Sequence, residues 1–199
     1  MNTFKSLLIA SLTLFTSLQA SVETGAAAPA FTVLDSAGIE RSLSDFAGQY
    51  VVLEWTRHDC PFVVKYYENG DMQALQQELM ATGVVWLQVA SSAEGKSGYL
   101  TAEEMEAMRQ STGTHATATL LDTNGEVGRA YGARTTPHMF LINPEGIVIY
   151  QGAIDSIKSA RSSDIAKATN YVKAAYESAV AAEVIEHPTT PPYGCGVKY

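Results

Sequence analysis

The chain has 199 residues, 46% of them hydrophobic, and carries 21 acidic against 13 basic residues for a formal net charge of −8. That length suits one domain with a proper core. An acidic chain without a basic cluster argues against nucleic acid or an anionic membrane surface as a partner.

Met1 to Lys5 carry one positive charge, Leu7 to Leu18 are mostly apolar, and Leu18-Gln19-Ala20 reads as a cleavage site. The pattern predicts a signal peptide over residues 1–20 and export to the periplasm or beyond. A retained anchor is the alternative, but the apolar stretch is short and rich in Ser and Thr for a membrane span. No span is expected after cleavage. Residues 21–188 then form the domain and residues 189–199 a tail.

Phe31-Thr32-Val33-Leu34 predicts a first strand, turned by Asp35-Ser36-Ala37-Gly38, with a helical turn after Ser42. Val51-Val52-Leu53-Glu54-Trp55 reads as a buried strand that runs into Thr56-Arg57-His58-Asp59-Cys60-Pro61-Phe62. Proline suits the first turn of a helix, so Pro61 predicts a helix starting at Cys60. There, free N–H groups and the helix dipole favour a thiolate, and Arg57 and His58 beside it should lower its pKa further. The competing reading is a buried cysteine acting as a small hydrophobe.

Asn69-Gly70-Asp71 interrupts this helix, and Met72, Leu75, Leu79 and Met80 resume it up to Gly83. Val84 to Val89 is a second inner strand, which makes a βαβ unit. Thr101-Ala102-Glu103-Glu104 has capping-box spacing and predicts a helix to about Gln110, where Met105 and Met108 are packing residues. A short strand follows at Thr119 to Leu121, then an Asn124-Gly125 turn and a short helix through Tyr131. After Thr135-Thr136-Pro137, His138 to Ile142 and Ile147 to Gln151 form a hairpin. One closing helix is expected from Ser163-Asp164 to His187-Pro188. The tail, with Tyr193-Gly194-Cys195-Gly196, is expected to be unpacked and mobile.

Strand, cysteine at a helix start, second strand, Thr-Pro before a hairpin and a closing helix together resemble the thioredoxin fold. The chain is similar to the redoxin branch, which includes peroxiredoxins and exported thioredoxin-like proteins. The resemblance is carried by Trp55 to Pro61, by Gly128-Arg129-Ala130-Tyr131-Gly132-Ala133 and by Thr136-Pro137 before Phe140-Leu141-Ile142. It implies an α/β thioredoxin-like fold with a central mixed sheet flanked by helices, preceded by an N-terminal strand extension. It also implies a cis-proline at Pro137 facing Cys60, with the Thr136 backbone open to an extended substrate strand.

Two departures qualify the likeness. Val63 stands where thioredoxins have a second cysteine, which leaves Cys195 as the only internal thiol able to resolve an adduct. Leu53 and Arg57 occupy the Pro and Thr positions of the peroxiredoxin motif Pro-x-x-x-Thr-x-x-Cys. Thr56 is one residue off register, and Pro137 falls about where that family has an arginine.

Three functions compete at this level. The first is an exported thiol-disulfide oxidoreductase or peroxiredoxin-like antioxidant protein without a cofactor. Cys60 would be its nucleophile and Cys195 its resolving thiol, with Thr136, Pro137, Arg57 and His58 around them. Its partners would be a protein or small-molecule disulfide, or a hydroperoxide, and an external thiol reductant. The second is a copper-binding redoxin using His58, Cys60 and His138. The third is a non-catalytic domain stapled by a structural Cys60–Cys195 disulfide.

Overall fold

The computed structural model describes residues 21–199, so the signal-peptide expectation lies outside the described residues. A hairpin of β1 (Thr32–Leu34) and β2 (Glu40–Ser42) opens the fold and leads into a 3-10 turn, Leu43–Phe46. Next come β3 (Val51–Trp55), α1 (Pro61–Tyr67), α2 (Asp71–Met80), β4 (Val85–Ala90) and α3 (Ala102–Thr112). The chain continues through β5 (Ala118–Leu121), α4 (Glu126–Tyr131), β6 (Thr135–Thr136), β7 (His138–Ile142) and β8 (Val148–Gly152). It closes with α5 (Tyr171–Val180) and β9 (Cys195–Gly196).

The central sheet has the order β5-β4-β3-β7-β8, with β5, β4 and β3 parallel and β7 and β8 antiparallel to their neighbours. This is the mixed α/β thioredoxin-like sheet that the sequence predicts. Every position of β3 and β4 is buried, as strands covered on both faces require. Side chains alternate across the sheet. Leu53, Trp55, Leu87 and Phe140 meet Phe31 and Tyr131 on one face. Val52, Trp86, Met139 and Leu141 meet Tyr66, Met72 and Leu79 from α1 and α2 and Val172 from α5 on the other. The capping box of α3 forms as read, with Thr101 and Glu104 exchanging bonds.

Glu54 is the exception in this core. It is fully buried on the α1 side and accepts from Trp86 Nε1 and the Tyr67 hydroxyl, each at 2.9 Å. Burial pushes its carboxyl up to about 7 despite these bonds.

Two expectations are corrected. The single closing helix is divided into a 3-10 segment, Ser162–Lys167, and α5, which ends at Val180. The break occurs because the backbone of Thr169 and Tyr171 bonds Ser156 and Ile154, and the Asn170 side chain then caps α5 by accepting from the Lys173 N–H. The tail, expected to be unpacked, is docked. Thr190 and Tyr193 are buried, β9 pairs with β6, and the Tyr199 hydroxyl donates to the Ala133 carbonyl at 2.7 Å. Side-chain anchors on both sides of Cys195 outweigh the freedom of its flanking glycines.

Candidate active site

β3 delivers the chain to the loop of residues 56–60, and Cys60 occupies the N-cap of α1 with Pro61 at the first helical position. The Cys60 side chain is fully buried, and its Sγ donates to the Thr136 carbonyl at 3.0 Å. The Thr136–Pro137 peptide is cis. The edge beside it is not open, which corrects the expectation of a vacant strand position. Thr136 lies opposite Cys195 and Thr135 opposite Gly196 in an antiparallel pair.

Gly194, at φ 136°, permits this approach: a Cβ there would stand 2.0 Å from the Thr136 carbonyl oxygen. Both cysteines are free thiols.

The two thiols are shifted in opposite directions. Burial works against the Cys60 thiolate. Donation from the Cys195 thiol, the Thr136 side chain and the backbone N–H groups of Cys195 and Phe62 outweighs it and lowers the pKa. Cys195 is pushed up to about 11 by burial, by its bond to Cys60 and by the Cys60 charge, against a smaller pull from Arg57. Cys60 is therefore the better thiolate, and the tail itself contributes to making it so.

That assignment changes the expected part of Arg57. Its Nε pairs with Asp59 and its terminal nitrogen donates to the Gly196 carbonyl at 3.4 Å, so it serves the tail strand and Cys195. His58 lines a cavity of about 320 Å³ with Arg57, Val63, Val64 and Met105, and its Nδ1 is buried without a hydrogen-bond partner among the described residues.

His138 is not brought into a ligand set with His58 and Cys60. Its Nδ1 accepts from the Arg134 N–H at 3.3 Å, its ring packs on Phe140 at 4.6 Å, and burial pushes its pKa down to about 3. The side chain follows Phe140 to the sheet face opposite α1. Among the described residues, no group of three or more His, Cys, Asp or Glu side chains is placed to hold a metal ion. His58, Cys60 and His138 are therefore not brought together as the copper reading expects.

Sequence reasoning missed a buried polar cluster next to the site. Asp155 accepts from the hydroxyls of Tyr66 and Tyr193, and Lys65 Nζ lies 3.3 Å from it. The available signal was Lys65, a cation on the helical face that Tyr66 shares with the core.

The family model described as Redoxin matches residues 23–169. No curated protein matches the sequence. Among solved structures, the fold is similar to that of a hypothetical protein from Sinorhizobium meliloti 1021, with 23% identity, a TM-score of 0.75, and 90% of this chain and 96% of that one covered. It is also similar to an uncharacterized conserved protein from Geobacillus kaustophilus, with 21% identity, a TM-score of 0.76, and 89% and 92% covered. The thioredoxin domain of a thiol-disulfide oxidoreductase from Bacteroides vulgatus matches with 23% identity and a TM-score of 0.52 over 66% of this chain and 89% of that one.

Proposed function

Because the chain belongs to the redoxin family, we propose that it is an exported thiol oxidoreductase in which Cys60 attacks and Cys195 resolves. The observation that carries this reading is that Thr136, whose carbonyl accepts the Cys60 thiol at 3.0 Å, pairs with Cys195, so one backbone residue lies next to both cysteines without a Cys-x-x-Cys motif. In the first step the Cys60 thiolate attacks one sulfur of a disulfide, and the other sulfur leaves as a thiolate. Cys195, deprotonated, then attacks Cys60 Sγ and expels the remaining thiolate, leaving a Cys60–Cys195 disulfide. An external thiol reductant returns both cysteines to thiols and is itself oxidised to a disulfide.

The substrate favoured by this arrangement is small. Cys60 is fully buried, and the strand position that an extended polypeptide would take is filled by β9. A hydroperoxide fits the same restriction and gives the second reading, an antioxidant peroxidase. Cys60 thiolate would take one oxygen to become a sulfenic acid, the alcohol would leave, and Cys195 would condense with the sulfenic acid to release water. Export rests on the leader-like residues 1–20. Among the described residues, no helix is long and apolar enough to cross a membrane.

The test is Cys195→Ser treated with a small aliphatic disulfide and followed by intact mass. A Cys60 adduct should accumulate in the variant and pass to an internal disulfide in wild type. Equal accumulation in both would remove Cys195 from the mechanism.

A further inference from the structure

We propose that Tyr193 is a positioning residue for disulfide closure: held by Asp155 and Lys65, it fixes the tail to α1 so that Cys195 stands ready beside Cys60. The inference rests on the reading of Cys195 as the resolving thiol.

The cluster joins three parts of the chain. Asp155, just beyond β8, is buried and takes the Tyr193 hydroxyl on Oδ1 and the Tyr66 hydroxyl on Oδ2. The Ile157 N–H adds a bond to Oδ1 at 2.9 Å. Lys65 Nζ, also buried, lies 3.3 Å from Oδ2 and 3.5 Å from the Tyr193 hydroxyl. Burying an ion pair is unfavourable unless its remaining bonding capacity is filled, and the two hydroxyls help to fill it. The Tyr193 ring also meets Phe62 edge-on at 5.8 Å.

Lys65, Tyr66 and Phe62 all belong to α1, the helix that Cys60 begins, and Tyr193 lies two residues before Cys195. One cluster therefore ties the nucleophile's helix to the tail that carries the second thiol. The pairing of β6 with β9 is only two residues long and cannot hold the tail by itself. The other anchors do not reach α1: Thr190 holds the tail to Tyr150 and Ala153, Tyr199 holds it to Ala133, and Arg57, in the loop before Cys60, holds the Gly196 carbonyl with a single bond at 3.4 Å. Tyr193 refers Cys195 to α1, and this is the reference that closure requires. Holding two reacting groups in register raises the rate of their reaction without altering either group.

The experiment follows the two steps separately. Reduced wild type, Tyr193→Phe, Asp155→Asn and Cys195→Ser are mixed with a small aliphatic disulfide, quenched in acid and read by intact mass. Tyr193→Phe keeps the ring and loses the hydroxyl. At a pH high enough to hold Cys60 as thiolate in every variant, it should form the Cys60 adduct no more slowly than wild type but convert it to the internal disulfide about tenfold more slowly, the factor expected from losing a hydrogen bond to a charged group. Asp155→Asn should show the same split, so the test survives if one variant does not fold. Conversion at the wild-type rate, or equal slowing of both steps, overturns the positioning role. Cys195→Ser judges the underlying reading independently: if its adduct decays as fast as that of wild type, Cys195 does not resolve, whatever Tyr193 does.

Discussion

Thr136 faces Cys195 across a two-residue antiparallel pair, and its carbonyl accepts the Cys60 thiol at 3.0 Å. One residue before the cis-proline thus touches both halves of the proposed redox pair. In a thioredoxin-like site this backbone would be expected to receive a substrate strand. Here the protein supplies its own strand, and that strand brings a thiol.

The tail thiol should tune Cys60 as well as react with it. Burial raises the Cys60 pKa, and the Cys195 thiol is the leading group that lowers it. Cys195→Ala removes that donor, so the Cys60 pKa should rise and its alkylation near neutral pH should slow. Cys195→Ser keeps a hydroxyl donor and should preserve most of the lowering. Thiolate absorbance near 240 nm against pH checks both variants, and identical curves for the two would show that the donor is not Cys195.

Removing residues 189–199 should widen access to the site. The truncated protein loses the β9 strand that covers the Thr136 edge. Its rate with a peptide disulfide, divided by its rate with a small aliphatic disulfide, should rise by about tenfold or more relative to wild type, equivalent to about 1.4 kcal/mol of restored access. The ratio cancels the change in Cys60 thiolate fraction. An unchanged ratio would mean that the tail does not select substrate size.

Gly194→Ala should undock the tail while sparing the sheet. The residue sits at φ 136°, and its Cβ would lie 2.0 Å from the Thr136 carbonyl oxygen, which is backbone and cannot swing aside. Strained backbone alone costs about 1–3 kcal/mol, more than a two-residue strand pair supplies. The expected result is rapid proteolytic cleavage within the tail and slow internal disulfide formation, with the core melting transition retained. Protease resistance equal to that of wild type would contradict it.

Glu54 should leave a mark on stability against pH. Its folded pKa, about 7, lies above the ordinary glutamate value of 4.5, so the folded state holds the proton more tightly. The resulting stability is fully present below about pH 4.5 and is lost as pH rises through 7. The shift corresponds to roughly 3 kcal/mol. Urea denaturation of wild type at pH 5 and pH 8 should show a loss of this order from this group, and Glu54→Gln should flatten the difference. A variant with the wild-type slope would place the titration elsewhere.

The sheet and the place of Cys60 are legible in the residues alone. The apolar runs at Val51 and Val85, Pro61 after Cys60, and the Asn143-Pro144-Glu145-Gly146 turn are local signals. Strand burial, helix initiation and hairpin closure depend on neighbours within a few residues. Thr136-Pro137 and the absence of a thiol at Val63 are equally legible, and they leave Cys195 as the second thiol of the chain.

The docking of the tail and the groups that tune the thiols depend on contacts between residues far apart in the chain. Gly194 and Gly196 read locally as freedom, but Tyr193, Thr190 and Tyr199 find buried partners far away in the chain, at Asp155, Tyr150 and Ala133. Arg57 and His58 are adjacent to Cys60 in sequence, which predicts that they lower its pKa. The largest lowering contributions come from Cys195, Thr136 and the Phe62 N–H. His138 was two residues from Thr136 but turned to the opposite sheet face, because strand alternation sends it with Phe140. Hydrogen bonds and charge interactions fall off over a few ångströms in space, so long-range packing and the alternation of a strand, rather than proximity along the chain, fix which side chains meet at Cys60.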